Sequence, residues 1–181
     1  DYAYVADGPF GLQVIDITDF QHPQIVGSVD TPGLAYGVVL SGTLALVADY
    51  DSGLQMIDVT NSQNPQIVGS VDTPGSAVAV AVSGDHAYVA DGSSGLQVID
   101  ITDPQHPEIV DSVDTPGSAY GVVVWGTLIY VGDDWSGLQM MDITKPQSPQ
   151  VVGGVDTGYA RGVAVAGAHA YVACENAGLA I

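Results

Sequence analysis

Carboxylates are the commonest groups in this sequence that are able to do chemistry, and they recur. Aspartates stand at Asp7, Asp49, Asp91 and Asp133, and again at Asp16, Asp58, Asp100 and Asp142. Two carboxylates facing one sugar bond are the apparatus of glycoside hydrolysis. A glycosidase or lyase is therefore one chemistry the sequence offers, provided two loop carboxylates converge with opposed pKa values. Recurrence at a fixed place in every copy points to architecture instead. The aspartate of VID(I/V)T is expected to bond the turn that follows it. The Asp7 series is expected to bond N–H groups of the loop it opens, as an Asx turn.

Other constellations fall short. His22, His86, His106 and His169 make neither H-x-x-x-H nor H-E-x-x-H, the spacings that put two imidazoles on one metal. Cys174 is the only cysteine, so neither an internal disulfide nor a cysteine zinc site can form. It stands where the other copies have aspartate and reads as a small, semi-buried filler. GSSG at Gly92 is not the G-x-S-x-G of a serine hydrolase. DYDSG at Asp49 and DDWSG at Asp133 look like calcium loops, although the EF-hand pattern is not met. No other cofactor is expected, and a calcium-stabilised scaffold is a third reading beside the enzyme and a binding module.

Charge removes whole classes of partner. Twenty-one acidic residues oppose two basic ones, Lys145 and Arg161, for a net charge of -19. That charge repels phosphate backbones, so nucleic acid is excluded as a partner. Anionic membrane surfaces are disfavoured for the same reason, and no apolar run of 18 residues occurs to insert in a bilayer. High acidity favours solubility, salt tolerance and attraction of cations.

A repeat must position these residues. GLQVIDIT begins at Gly11 and Gly95, GLQMIDVT at Gly53 and GLQMMDIT at Gly137, each 42 residues from the last. A fifth copy, GLAI, begins at Gly178, one residue early because TPG at Thr31, Thr73 and Thr115 has become TG at Thr157. The chain reads as one domain of units 1–42, 43–84, 85–126 and 127–167 with a partial unit 168–181. Each unit has four short segments rich in valine, isoleucine and tyrosine, separated by turn residues. Four strands in about 40–45 residues is the spacing of a propeller blade. The fold class is thus all-β, a β-propeller of four-stranded blades.

Within a blade, segments such as AYGVVLSG are small and apolar and suit the innermost strand, followed by AYVAD, GLQVIDIT and an outer QIVGSVDT. Pro23, Pro65, Pro107 and Pro149, with Asp30, Asp72, Asp114 and Asp156, are expected to protect the outer edge. The two ends fall at different places in the repeat, so a segment of a larger propeller is expected. The alternatives are an incomplete five-bladed ring or closure through a second copy, and an open blade face favours self-association.

The pattern GLQVIDITDPQHPQIVGS, a composite of the copies at Gly11 and Gly95, closely resembles the LVIVD repeat of bacterial and archaeal cell-surface proteins, and the resemblance covers the whole chain. The resemblance implies an extracellular or surface-exposed propeller, and it supplies no catalytic residues to carry over.

The loops between second and third strands vary most: DGPFG, DYDSG, DGSSG, DDWSG and CENAG. In a propeller they share a face with the turns before the inner strands. That face is expected to gather Phe10, Tyr36, Tyr50, Asp51, Tyr120, Asp134, Trp135, Arg161 and Glu175. Aromatics beside carboxylates suit a protein, a glycan or a cation. The sequence thus predicts a non-catalytic binding or scaffold module outside the cell.

Overall fold

The central segments of each copy carry apolar side chains on both faces, as in LALVA from Leu44. A sheet built from them must be covered on both sides. The computed structural model, which describes residues 1–181, forms five separate antiparallel sheets, and apolar clusters fill the four junctions between successive sheets. The first holds β1 (Tyr2–Ala6), β2 (Leu12–Asp16) and β3 (Gln24–Val29). The second holds β4 (Gly37–Ser41), β5 (Leu44–Ala48), β6 (Leu54–Asp58) and β7 (Gln66–Val71). The third holds β8 (Ala79–Ser83), β9 (His86–Ala90), β10 (Leu96–Asp100) and β11 (Glu108–Val113). The fourth holds β12 (Gly121–Trp125), β13 (Leu128–Gly132), β14 (Leu138–Asp142) and β15 (Gln150–Val155). The fifth holds β16 (Ala160–Ala166), β17 (His169–Cys174) and β18 (Gly178–Ala180). No helix is long and apolar enough to cross a membrane.

These sheets are propeller blades. Strands follow chain order within each sheet, and the first strands β4, β8, β12 and β16 touch their counterparts in the next blade. They are therefore innermost, as expected. The sheet frame differs from the 42-residue units read in the sequence. The inner strand that closes each sequence unit opens the next blade, because β8 pairs with β9 and not with β7.

The core lies between blades. Period-two alternation sends Ala45 and Val47 of β5 towards the first blade and Leu46 and Ala48 towards the third. Leu46 and Leu54 are fully buried, each contributing about 1.5–3 kcal/mol relative to exposure. The second and third strands are the most buried, while inner strands are only partly covered. The outer edge carries a device the sequence did not reveal. Every third-to-outer pairing has a bulge, for instance between Met56 and Ile57, and bulges twist an edge away from pairing with strangers.

The recurring aspartates divide into two groups. Asp16, Asp58, Asp100 and Asp142 accept the backbone N–H two residues on, at 2.7–2.8 Å, as expected. The Asx-turn reading of Asp49, Asp91 and Asp133 is corrected. In their own loops the amides are already taken, as in Asp49 N–H to Gly53 and Ser52 N–H to Asp49. The carboxylate reaches instead into the crossover arriving from the preceding blade. Thr31 Oγ1 and the Gly33 N–H donate to Asp49 at 2.5 and 2.9 Å. Thr73 and Gly75 repeat this on Asp91 at 2.6 and 2.9 Å. Asp133 takes the Gly117 N–H at 2.9 Å. All three carboxylates are completely buried. The glycine of TPG is required by the close approach, since a Cβ at Gly33, Gly75 or Gly117 would overlap the aspartate's carbonyl oxygen.

The fifth copy loses both halves of this lock together. Cys174 replaces the aspartate and TPG becomes TG, so no carboxylate is present to take the Thr157 hydroxyl; in the fourth blade the Thr115 hydroxyl is likewise unpartnered and Asp133 keeps only the Gly117 N–H. Cys174 is buried, as the filler reading expected. Gly75→Ala is expected to destabilise the chain by about 1–3 kcal/mol through overpacking, read by chemical denaturation. Gly158→Ala has no neighbour to strike and should cost only the strain of its positive φ.

Candidate functional site

The variable loops and the turns before the inner strands lie on one face, joined by backbone bridges between blades. Gly8 pairs with Ala35, Tyr50 with Ala77, Gly92 with Ala119 and Asp134 with Ala160. Each loop is braced from beneath. The repeated glutamines Gln13, Gln55, Gln97 and Gln139 donate Nε2–H to the carbonyl three residues earlier at 2.6–3.0 Å. This brace recurs in every GLQ, and its role was not read from the sequence. Such loops are held in place before any ligand arrives.

The first residue of each bridge is left-handed. Gly8 and Gly92 have φ of 53° and 55°, while Tyr50 and Asp134 occupy the same repeat position at 49° and 48°. They are the only non-glycine residues with positive φ. A bulky side chain such as tyrosine costs about 1–2 kcal/mol in this region, and aspartate less. Both residues exceptional in this way are among those the sequence picked out.

Tyr50 stands beside Tyr36, with ring centroids 5.3 Å apart and planes tilted by 39°. Tyr36, Val78 and Tyr120 hold equivalent places one residue or so before β4, β8 and β12. Their amides donate to Ala48, Ala90 and Gly132 at 2.9 Å. Between them opens a cleft of about 420 Å³ lined by Tyr36, Tyr50, Val78 and Tyr120 with Ser76, Gly92, Ser93 and Ser118.

Arg161 flanks this cleft. Its guanidinium carbon lies 4.1 Å from the Tyr120 ring centroid. Nη2 and Nε donate to Glu175 Oε2 at 2.8 and 3.2 Å. Asp134 Oδ1 lies 3.4 Å away, an ion-pair contact without hydrogen-bond alignment. The Glu175 hydrogen bond pushes the Arg161 pKa further up, so the charge is permanent. Asp134 can reach Arg161 because its bridge to Ala160 places it against the start of the fifth blade.

The structure thus brings together Tyr36, Tyr50 and Tyr120, and also Arg161, Asp134 and Glu175. Phe10, Trp135 and Asp51 share the loop face but are exposed outside the cleft. The sequence did not single out Ser76, Ser93 and Ser118, because nothing marks a serine in a turn as a lining group. No group of three or more His, Cys, Asp or Glu side chains converges as for a metal ion. Asp49 and Asp133, first residues of the two calcium-like loops, are turned to their crossovers instead.

A profile of the LVIVD repeat matches residues 1–31, 32–73, 74–115, 116–157 and 158–181. The chain belongs to the LVIVD repeat family. The middle three matches coincide with the second, third and fourth blades. The LVIVD blades are also similar to solved structures. The computationally designed Ika8 protein gives a TM-score of 0.74 at 10% identity, over 98% of this chain and 53% of that one. The designed Ika4 protein gives 0.70 at 9% identity, over 87% and 96%. A functionally unknown protein from Desulfotomaculum acetoxidans DSM 771 gives 0.77 at 16% identity, over 97% and 62%. This chain spans about half the length of the Ika8 chain, and identities this low speak to fold alone. No curated protein matches the sequence.

Two outcomes follow from this geometry. Tyr50→Gly should leave the melting point unchanged or raise stability by up to about 1 kcal/mol, because it relieves a left-handed side chain. The second concerns pH. Burial pushes the Asp91 and Asp133 carboxyls up, so the folded state holds these protons more tightly than the unfolded state. Their contribution is fully present below about pH 4 and is lost as pH rises through the raised values. The stability of the natural chain relative to Asp91→Asn should therefore increase as pH falls from neutral to about 4, measured by urea unfolding across that range. Asp16, Asp58 and Asp100 are shifted down by hydrogen bonds to Thr18, Thr60 and Thr102. They act oppositely and only below about pH 4.

Proposed function

We propose that this LVIVD propeller is a non-catalytic binding module, exposed outside the cell, that holds a protein or glycan partner on its loop face. The observation that carries this reading is the pair Tyr50 and Asp134. At two of four equivalent positions a strained side chain replaces glycine, and each makes a contact on the loop face. Strain of this kind concentrates where recognition needs it. An extracellular place accords with the strong acidity and with family membership.

The enzyme reading meets an obstacle in the same cluster. Asp134 and Glu175 both lie against Arg161, so a guanidinium occupies the space where a glycosidase places its sugar bond. The test is a panel of immobilised extracellular proteins and polysaccharides read by surface plasmon resonance. Binding to a member of the panel should weaken by about tenfold or more in Tyr120→Ala/Arg161→Ala and persist in His22→Ala/His106→Ala on the outer turns. Turnover of chromogenic glycosides that disappears in Glu175→Gln would sink the reading, as would binding that tracks only the outer histidines.

A further inference from the structure

The cleft differs in charge from the rest of the molecule. The chain has 21 acidic residues, yet none of the eight residues lining this cleft is ionisable except through a tyrosyl hydroxyl. The one cation nearby, Arg161, is already paired with Glu175 and Asp134. An anionic ligand would find no free counter-charge here, and burying an unpaired charge is costly. The site selects against anions, and its hydroxyls suit an uncharged polar ligand.

Its shape and chemistry narrow the class. The volume of about 420 Å³ lies within the range of roughly 300–1,000 Å³ typical of small-ligand sites. Tyrosines stand at both ends: the Tyr36–Tyr50 pair on one side and Tyr120 on the other. Tyrosine has a flat apolar face and a polar tip. Ser76, Ser93 and Ser118 add hydroxyls, each able to donate and accept. Flat apolar platforms rimmed by hydroxyls match a pyranose, which has an apolar C–H face and an equatorial belt of hydroxyls.

Rigidity supports the same assignment. Gln55 and Gln97 brace the two loops that carry Tyr50 and Ser93, and inter-blade bridges fix Tyr50 against Ala77 and Gly92 against Ala119. Arg161 stacks on Tyr120 and anchors that ring to the fifth blade. Preformed sites lose less freedom on binding.

We infer that the Tyr36–Tyr50–Tyr120 cleft binds a neutral saccharide, stacking a pyranose ring on tyrosine and engaging its hydroxyls with the cleft serines. This inference rests on the loop-face reading above and specifies its ligand.

The experiment is saturation-transfer NMR on the intact chain with maltotriose, cellotriose and chitotriose, alongside oligo-lysine and a sulfated oligosaccharide as charged probes. Transfer from tyrosine ring protons to at least one neutral trisaccharide is expected. Affinity should fall by about tenfold or more in Tyr50→Gly and in Tyr36→Ala, with His106→Ala unchanged. Tyr50→Gly keeps the comparison clear of unfolding, because Gly8 and Gly92 already occupy that place. Absence of transfer to all three neutral sugars at about 10 mM, where even weak millimolar binding registers, overturns the inference. Sugar binding indifferent to Tyr50→Gly overturns it too. Preferential binding of oligo-lysine or the sulfated sugar that Tyr50→Gly abolishes overturns the saccharide assignment while leaving the loop-face reading intact.

Discussion

The architecture depends on one constraint: a small four-stranded sheet with two apolar faces cannot be satisfied alone. A blade needs cover on both faces, and the neighbouring copies supply it to the second, third and fourth blades. That is why every core cluster mixes residues from neighbouring blades, as Leu46 and Met56 pack with Val89 and Ile99. Apolar packing alone is permissive about angle. The buried aspartates of the second, third and fourth blades add direction, since Asp91 accepts from both Thr73 and Gly75 in the crossover before it. A buried carboxylate left without donors would be strongly unfavourable. The lock therefore tolerates little displacement between one blade and the connection that enters it. Its two halves, aspartate and TPG, are present together in three copies and absent together in the fifth.

With the frame held this way, the loop face is free to vary. Its variation is not random in physical terms. The left-handed position accepts glycine without strain at Gly8 and Gly92. Placing tyrosine or aspartate there spends stability on a side chain that the fold does not require. Tyr50 and Asp134 lie at two blade junctions and each contacts a residue at the mouth of an inner strand, Tyr36 or Arg161. Identical scaffolding beneath thus supports two chemically distinct clusters: an uncharged aromatic cleft and an arginine held between carboxylates.

The distribution of charge links these clusters to the whole. A chain with net charge -19 presents an acidic exterior that discourages anionic partners. Against that background the uncharged cleft is a local exception, and the pairing of Arg161 keeps it so. The Arg161 guanidinium serves as a structural cation, stacked on one ring and bridging two loops.

Much of this was legible in the residues. Repetition at 42 residues, β-rich segments and turn residues determine an all-β propeller blade, its strand order and the gathering of Tyr36, Tyr50, Tyr120, Arg161, Asp134 and Glu175 on one side. These follow from local pattern and period, which a sequence records directly. The partners of the recurring aspartates, the bulge in each outer pairing, the glutamine brace and the boundaries of the true blades were decided only in three dimensions. A carboxylate accepts from whichever donors remain after the backbone has satisfied itself, and those of Asp49 lie sixteen and eighteen residues back, in another blade's connection. The uncharged lining of the cleft is likewise a tertiary property, because it arises where three neighbouring blades bring their turns together.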